Sequence, residues 1–293
     1  MKVTVIILNW NDHERTRRCA LSVQHSLQKL DKDSSASITI VDNGSRPSLI
    51  TLAPDINESG AVEIITSEDN LGYAGGMNQA LTPTRLRDVD AVWLLNNDTL
   101  VDENALKELI TYKRNNPDKL CVGSVIINSN TRRIQTIGGY RYRPALGIAR
   151  PIGKGLAVDD VGDQEPKLDY ISGAALFLDA ARLLREGGVP AENFLYYEEL
   201  NLADRFGGGS HLGTCLNARV THDGGGSTAK LKSHLPTYYS TLAALRYTKT
   251  KLAIALPLVY FLRVTVALGR DITGWSPHNL KGVFLAAKHF TWH

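Results

Sequence analysis

The 293 residues, 43% hydrophobic and 22% charged, have the composition of an ordinary globular protein with enough chain for one large core or two modest ones, which excludes a disordered or fibrous polypeptide. The net charge of +3 conceals a split: from residue 230 onward nine Lys/Arg face one acid, a local +8, whereas the first 229 residues carry 24 basic and 29 acidic residues, a local −5. A basic tail on an acidic body points to an anionic partner such as a membrane surface or nucleic acid, but no RNA-binding or helix-turn-helix signature accompanies it, so nucleic acid is not expected.

The chain opens on a β-branched run, Val3 to Leu8, that meets polar residues at Asn9-Trp10-Asn11-Asp12. The run is too short for a signal peptide and reads as a first strand. Cys19, Val23, Leu27 and Leu30 then recur at helical spacing. The same cysteine, with Cys121 and Cys215, belongs to an odd, widely spaced set without a CxxC pair, which suggests neither a disulfide framework nor a zinc knuckle and fits a reducing cytosol. Ile38 to Val41 predicts a second strand ending in Asp42-Asn43-Gly44-Ser45, and Val62 to Ile65 a third. Strand, helix, strand in succession predicts a parallel sheet. The first strand-to-helix turn holds no glycine, which counts against a dinucleotide-binding dehydrogenase, and no P-loop is present.

Glycines come later, in Asn70-Leu71-Gly72-Tyr73-Ala74-Gly75-Gly76-Met77-Asn78, expected to form a loop just before a short helix. Such a loop either lets a ribose or phosphate approach the backbone or is only a turn. Val92-Trp93-Leu94-Leu95-Asn96-Asn97-Asp98 is an apolar run that breaks into three polar side chains. Ligands of open α/β sheets bind beyond the carboxyl ends of the strands, which would place Asp98 at an active-site lip; the competing reading makes Asn97, Asp98 and Thr99 caps of a helix from about 103 to 115.

A strand is expected at Cys121 to Ile127, followed by a long irregular region from Asn128 to Leu168. Tyr170 to Leu178 returns to strand character, with small residues at its centre. Phe194 to Arg205 carries the adjacent carboxylates Glu198 and Glu199 into a helix, where neighbours point about 100° apart, so one faces a site and the other is free to pair with Arg205. His222 stands against the glycines Gly224-Gly225-Gly226 of a loop whose amides suit phosphate oxygens. In the tail, the uncharged run Leu252 to Leu262 is flanked by Lys249, Lys251 and Arg263. It is too short to span a bilayer and is either an interfacial element or a segment packed on the core.

Taken in order, these landmarks resemble the family 2 glycosyltransferases of GT-A fold, in particular the rhamnosyltransferase-like branch of bacterial surface-polysaccharide assembly, over roughly residues 3 to 228. The resemblance implies a mixed, mostly parallel α/β sheet flanked by helices, a catalytic domain over 1–229 and a basic, amphipathic helical extension over 230–293. It implies that a nucleotide sugar lies over the first strand ends, contacted by Asn9, Trp10, Asn11, Asp42, Asn43, Asn70, Gly72, Tyr73, Gly75, Gly76, Asn78, Asn96 and Asn97, with Asp42 holding the base. Asp98, aided by His222, would bind Mn2+ or Mg2+ on the diphosphate, while Gly173, Ala174 and Glu198 lie on the acceptor side and Glu199 is the base of an inverting displacement.

Two departures stand out. Asn96 occupies the first position of the D-x-D pattern, and Glu198-Glu199-Leu200-Asn201 replaces the usual Glu-Asp-x-Asp. The implied donor is dTDP-rhamnose, with UDP-hexose or UDP-N-acetylhexosamine as alternatives. The implied acceptor is a glycan or polyprenyl-diphosphate-linked glycan, and the implied location is the cytoplasm, peripheral to the cell membrane. A sugar-nucleotide pyrophosphorylase would want a Gly-rich basic loop after the first strand, and a non-catalytic binding module is the rival outside enzymes.

Overall fold

The computed structural model describes residues 1–52, 56, 62–224, 231, 234–273 and 278–292. The amino-terminal half alternates β1 (Lys2–Asn9), α1 (His13–Leu27), β2 (Ser35–Asn43), the single-turn α2 (Leu49–Leu52), β3 (Val62–Ser67), α3 (Gly72–Asn78) and β4 (Ala91–Asn96). β3, β2, β1 and β4 lie side by side and parallel, with Asn9 opposite Asp42 and Leu8 opposite Asn96, so the polar residues after each apolar run gather at one edge. β1 and β4 and the second half of β2 are buried on both faces, whereas β3 at the sheet edge is half-exposed. Val3, Val5 and Ile7 of β1 and Trp93 and Leu95 of β4 enter one core with α1, whereas Ile6, Val92 and Leu94 enter a second core with Ala74 and Met77 of α3.

Beyond β4 the chain turns through Asn97 and Asp98 into the short β5 (Thr99–Val101), then α4 (Ala105–Asn115) and β6 (Cys121–Asn128). Asn104, not the corner, stands at the N-cap of α4, so the capping reading of Asn97, Asp98 and Thr99 fails. The stretch expected to be irregular holds three strands, β7 (Ile134–Ile137), β8 (Gly139–Arg143) and β9 (Ile148–Pro151). They were hidden because β8 and β9 are half-exposed, and arginines replace the apolar residues that mark a strand. The expected strand 170–178 is two, β10 (Tyr170–Ile171) and β11 (Ala175–Asp179), separated by Ser172-Gly173-Ala174. β10 joins β8 and β9 in a separate antiparallel sheet, while β11 inserts antiparallel between β4 and β6.

α5 (Ala180–Arg185) and α6 (Glu198–Arg205) follow, and β12 (Leu212–His222) runs parallel to β6 and antiparallel to β5, placing His222 opposite Thr99. The tail forms α7 (Leu235–Leu252), α8 (Leu256–Ile272) and α9 (Asn279–His289) around a small core of Leu242, Leu245, Val259, Ala286 and Phe290. Tyr197, just before α6, packs against this core, and Lys251 pairs with Asp204 at 3.0 Å. The tail is therefore joined to the catalytic side of the body, and α7, with Thr241 to Leu245 and Tyr247 buried, is a packed helix.

Candidate active site

The strand ends, the β10–β8–β9 sheet, the turn before α6 and helices α7 and α8 surround one cavity of about 500 Å3. Its amino-terminal wall is a framework of amides. Asn43 accepts from the Leu71 amide at 3.0 Å and donates to Asn70 Oδ1 and the Gly72 carbonyl, each at 3.0 Å, so one β2 side chain shapes the segment that leads into α3. Gly72 has φ +76°, and a Cβ there would stand 2.2 Å from the Phe194 carbonyl oxygen; only glycine lets the two wall segments meet. Trp10, Asn43, Asn70, Gly72, Tyr73 and Asn96 all line the cavity, as do Asn97 and Asp98.

Several residues expected at the donor do not reach the cavity. Asp42 is fully buried, one carboxylate oxygen accepting from Asn9 Nδ2 at 2.8 Å and the other from the Leu49 amide at 2.6 Å, so it holds β1 and α2 together beneath the floor. Asn9 is equally committed, accepting from Thr16 Oγ1 at 2.7 Å, and Asn11 accepts from the Arg46 amide at 2.8 Å. Gly75 and Gly76 are not in a loop preceding a helix but inside α3. A Cβ on Gly76 would meet Leu8 Cδ1 at 2.6 Å, so its role is to let the helix settle on β1. Asn78 clamps the Val189 backbone through both amide atoms. Buried side-chain amides satisfy neighbouring backbone as readily as a ligand, which is why sequence pattern could not separate the two uses.

At the corner, Asp98 and His222 meet, with Oδ1 3.2 Å from Nε2. Both are nearly buried. His222 Nδ1 lies 3.0 Å from Gln135 Oε1 of β7; in the tautomer that donates to this oxygen, Nε2 turns its lone pair toward the carboxylate. Two acceptors facing each other at that distance need a positive centre, a proton or a divalent cation. A carboxylate and an imidazole whose other ring nitrogen is held by the Gln135 amide are donors that Mn2+ or Mg2+ would use, and the donor set fits. Among the described residues no cluster of three His, Cys, Asp or Glu surrounds the point, so a diphosphate and water would complete the coordination. Of the triple glycine, Gly225 and Gly226 lie outside the described residues.

The opposite wall is aromatic and acidic. Glu198 and Glu199 form the first turn of α6, and both line the cavity. Glu198 does not pair with Arg205, which is taken by Glu192 and the Glu186 carbonyl; it is 2% exposed, and its Oε1 meets no hydrogen-bond partner. Burial and then the neighbouring Glu199 push the Glu198 carboxyl well above the usual carboxylate range, and burial raises Glu199. Glu199 Oε1 lies against Gly173, where a built Cβ would stand 1.8 Å away; Gly173 and Ala174 both line the cavity, and Tyr73 Oη donates to the Gly173 carbonyl at 3.1 Å. Burial raises Tyr73, and the two carboxylates raise it further.

The turn that aims the acids is unusual, because Tyr196 and Tyr197 have φ +75° and +71° in succession, a conformation that side chains with a Cβ avoid unless their surroundings impose it. Those surroundings come from the tail and β8: Tyr197 lies edge-on to Tyr142, with centroids 5.9 Å apart, and 5.7 Å from Tyr247, and its hydroxyl accepts from Arg263 at 3.1 Å. Sequence reasoning missed Gln135, Tyr140, Tyr142, Tyr170 and Arg263. The alternating Gly-Tyr-Arg-Tyr-Arg of 139–143 was the available signal for β8 and its aromatics.

The curled, mostly parallel sheet with its nucleotide-side strand ends and carboxylate corner is the GT-A architecture. It superposes on S. aureus TarS 1-349 in complex with UDP-GlcNAc with a TM-score of 0.62 at 12% identity, over 98% of this chain and 79% of that one. On GalNAc-T7 with UDP, GalNAc and Mn2+ the TM-score is 0.64 at 14% identity, over 100% of this chain and 55% of that one. No curated protein sequence matches the chain. The model of glycosyl transferase family 2 matches residues 4–160, more than half of the sequence, and the chain belongs to that family. It is a glycosyltransferase.

Proposed function

We propose that the protein transfers a hexose from a nucleoside diphosphate sugar to a hydroxyl of a glycan or lipid-linked glycan, with inversion at the anomeric carbon. One observation carries this: a carboxylate–imidazole pair suited to a divalent cation and a raised carboxylate suited to a base open into the same cavity, beyond the ends of the parallel strands. Residues 1–229 form the donor-binding and catalytic unit in this reading, and 230–293 close the acceptor side. The nucleotide lies over Trp10 and the Asn43–Asn70–Gly72 segment.

Asp98 and His222 would hold Mn2+ or Mg2+, which neutralises charge growing on the leaving diphosphate. Glu199 takes the proton of the acceptor hydroxyl as that oxygen bonds to the anomeric carbon. The bond from that carbon to the diphosphate breaks on the opposite face, and its electron pair leaves with the nucleoside diphosphate. Desolvation by Tyr73, Tyr140 and Tyr170 keeps the Glu199 carboxylate basic enough for this, and Gly173 leaves it the space. Glu198, buried with Oε1 unpartnered on the same wall, lies on the acceptor side.

Rhamnose from dTDP-rhamnose is the leading donor, by likeness to that branch of the family. UDP-hexose and UDP-N-acetylhexosamine are the second reading, favoured by the UDP-GlcNAc and UDP with GalNAc bound in the two similar structures. A thermal-shift screen of dTDP-rhamnose and UDP-sugars with Mn2+ or Mg2+ tests the function, because a ligand of the native state must raise its apparent stability. Silence from every nucleotide sugar would overturn it.

The site of action proposed is the cytoplasmic face of a membrane. Among the described residues, Leu235–Ile272 is long and apolar enough to cross a bilayer by length and composition. Yet α7 is packed, and what remains outward is the α8 side, where Leu258, Phe261, Val266 and Ile272 are exposed, as is Ile254 just before it. That pattern suits a helix lying in the interface. Co-sedimentation with anionic liposomes should be lost in a Leu258→Glu, Phe261→Glu double variant; equal binding would remove the membrane role.

A further inference from the structure

Arg263 is the charge that the transfer reading leaves unused. It leaves α8 on its inner side and lines the cavity. Its guanidinium is held by three neutral acceptors, donating to Ser240 Oγ at 2.7 Å, the Tyr197 hydroxyl at 3.1 Å and the Gly147 carbonyl at 3.3 Å. Among the described residues Arg263 meets no carboxylate, and unlike Arg219 and Arg246, which also have no carboxylate partner but are exposed, it is half-buried on the cavity wall. Five N–H groups serve three bonds, and Nε serves none of them. A partly buried cation left without a counter-ion is costly unless a ligand supplies one, and the rigid guanidinium fork matches a carboxylate or phosphoryl group.

Its surroundings tell which ligand this is. Gly147 lies in the β8–β9 turn with φ +63°, and a Cβ there would stand 2.9 Å from Val259 Cγ1, so α8 and the three-stranded sheet are fitted against each other at this point. Tyr142 and Tyr197 border the guanidinium, and Tyr140 and Tyr170 stack beyond them at 4.9 Å on the way to Glu199. Aromatic faces beside a fixed cation favour a sugar ring joined to an anion. The donor diphosphate already has its place at Asp98 and His222, on the strand ends, while every contact of Arg263 lies on the wall that bears the base.

We propose that the part of the cavity between α8 and the β10–β8–β9 sheet is an acceptor subsite for a sugar carrying a negatively charged substituent, a phosphoryl or carboxylate group, which pairs with Arg263. This rests on the reading of the cavity as the site of glycosyl transfer. The basic tail draws such an acceptor toward the mouth, and the Arg263–Tyr197 bond couples its arrival to the turn that aims Glu199.

Calorimetric titration of the full chain, saturated with Mn2+ and with dTDP or UDP, whichever binds, with methyl glucoside, glucose 1-phosphate and glucuronate tests this. At least one anionic probe should bind ~10-fold or more tightly than the neutral one, the phosphate and carboxylate arms telling which group is read. That preference should disappear in Arg263→Gln, persist in part in Arg263→Lys, and shrink as ionic strength rises. No preference in the wild type, an undiminished preference in Arg263→Gln, or a preference indifferent to salt would overturn the proposal. Should Arg263→Gln fail to fold, the wild-type, Arg263→Lys and salt arms still decide. If neither dTDP nor UDP binds with Mn2+, the transfer reading fails by itself, and the same probe ratio measured in EDTA still judges Arg263.

Discussion

The two walls of the cavity are built on opposite principles. On the strand-end wall lining side chains already have partners, Asn43 with Asn70 and Gly72 and Asn97 Nδ2 with Thr16 Oγ1 at 3.0 Å. On the wall made by the second sheet, α6 and the tail, polar capacity is left open, in the unpartnered Glu198 Oε1, the raised Glu199 and the acid-free Arg263. The first wall can hold a ligand by shape with no reorganisation, and the second exerts unspent electrostatic force on whatever enters. That division suits a donor that must be held still and an acceptor that must be activated.

The largest expected effect breaks the strand-end side of this contrast at its one open point. Asp98→Ala removes the charged member of the corner pair, and several kcal/mol of transition-state stabilisation should vanish with it, roughly 10³-fold or more in metal-stimulated turnover. Chelation of the wild type should do the same, and near-normal turnover of either would show that the corner does not work through a cation. On the other wall, Glu199→Gln keeps shape while removing basicity, so kcat should fall by ~10²–10⁴-fold with the dissociation constant of UDP nearly unchanged. Because burial raises the Glu199 carboxyl, wild-type kcat should climb with pH through a value above the ordinary carboxylate range, and this acid limb should be missing from the residual activity of Glu199→Gln.

A smaller effect sharpens the corner. Gln135→Leu leaves Asp98 and His222 in place but frees the imidazole to rotate, so Mn2+ affinity should weaken by ~10–100-fold, read as a shift in the metal dependence of turnover. The smallest effect tests the closed framework. Asp42→Ala strands the Leu49 backbone amide in the interior, at ~1–3 kcal/mol, and takes from the Asn9 side-chain amide one of its two acceptors, Ser45 Oγ remaining, so the melting temperature falls. UDP bound at saturation should leave that difference from wild type unaltered; if the loss of stability were instead confined to the UDP-bound protein, Asp42 would belong to the ligand and not to the floor.

Much of this was legible in the order of residues. Apolar runs such as Val3–Leu8 and Val92–Leu95 can be satisfied only by strands buried on both faces, and the polar residues that end them must then gather at one edge, which located Asn96, Asn97 and Asp98 before any coordinates. Period and composition carry that information because it is local. What the sequence left open was the fate of each polar group. Asp42, Asn9 and Asn78 resemble ligand-binding residues, yet were drawn into hydrogen bonds with Leu49, Thr16 and Val189, partners that only the folded chain brings close. The sheet of β8, β9 and β10 escaped notice because half-exposed strands need no apolar alternation. Arg263 read as the flank of an apolar run, and its meeting with Gly147, Tyr197 and Ser240 spans 116, 66 and 23 residues of sequence. Local chemistry determined the strands and the corner; the closure of the tail over the cavity, a long-range packing of α7 and α8 on the second sheet, decided which charges were left for a ligand.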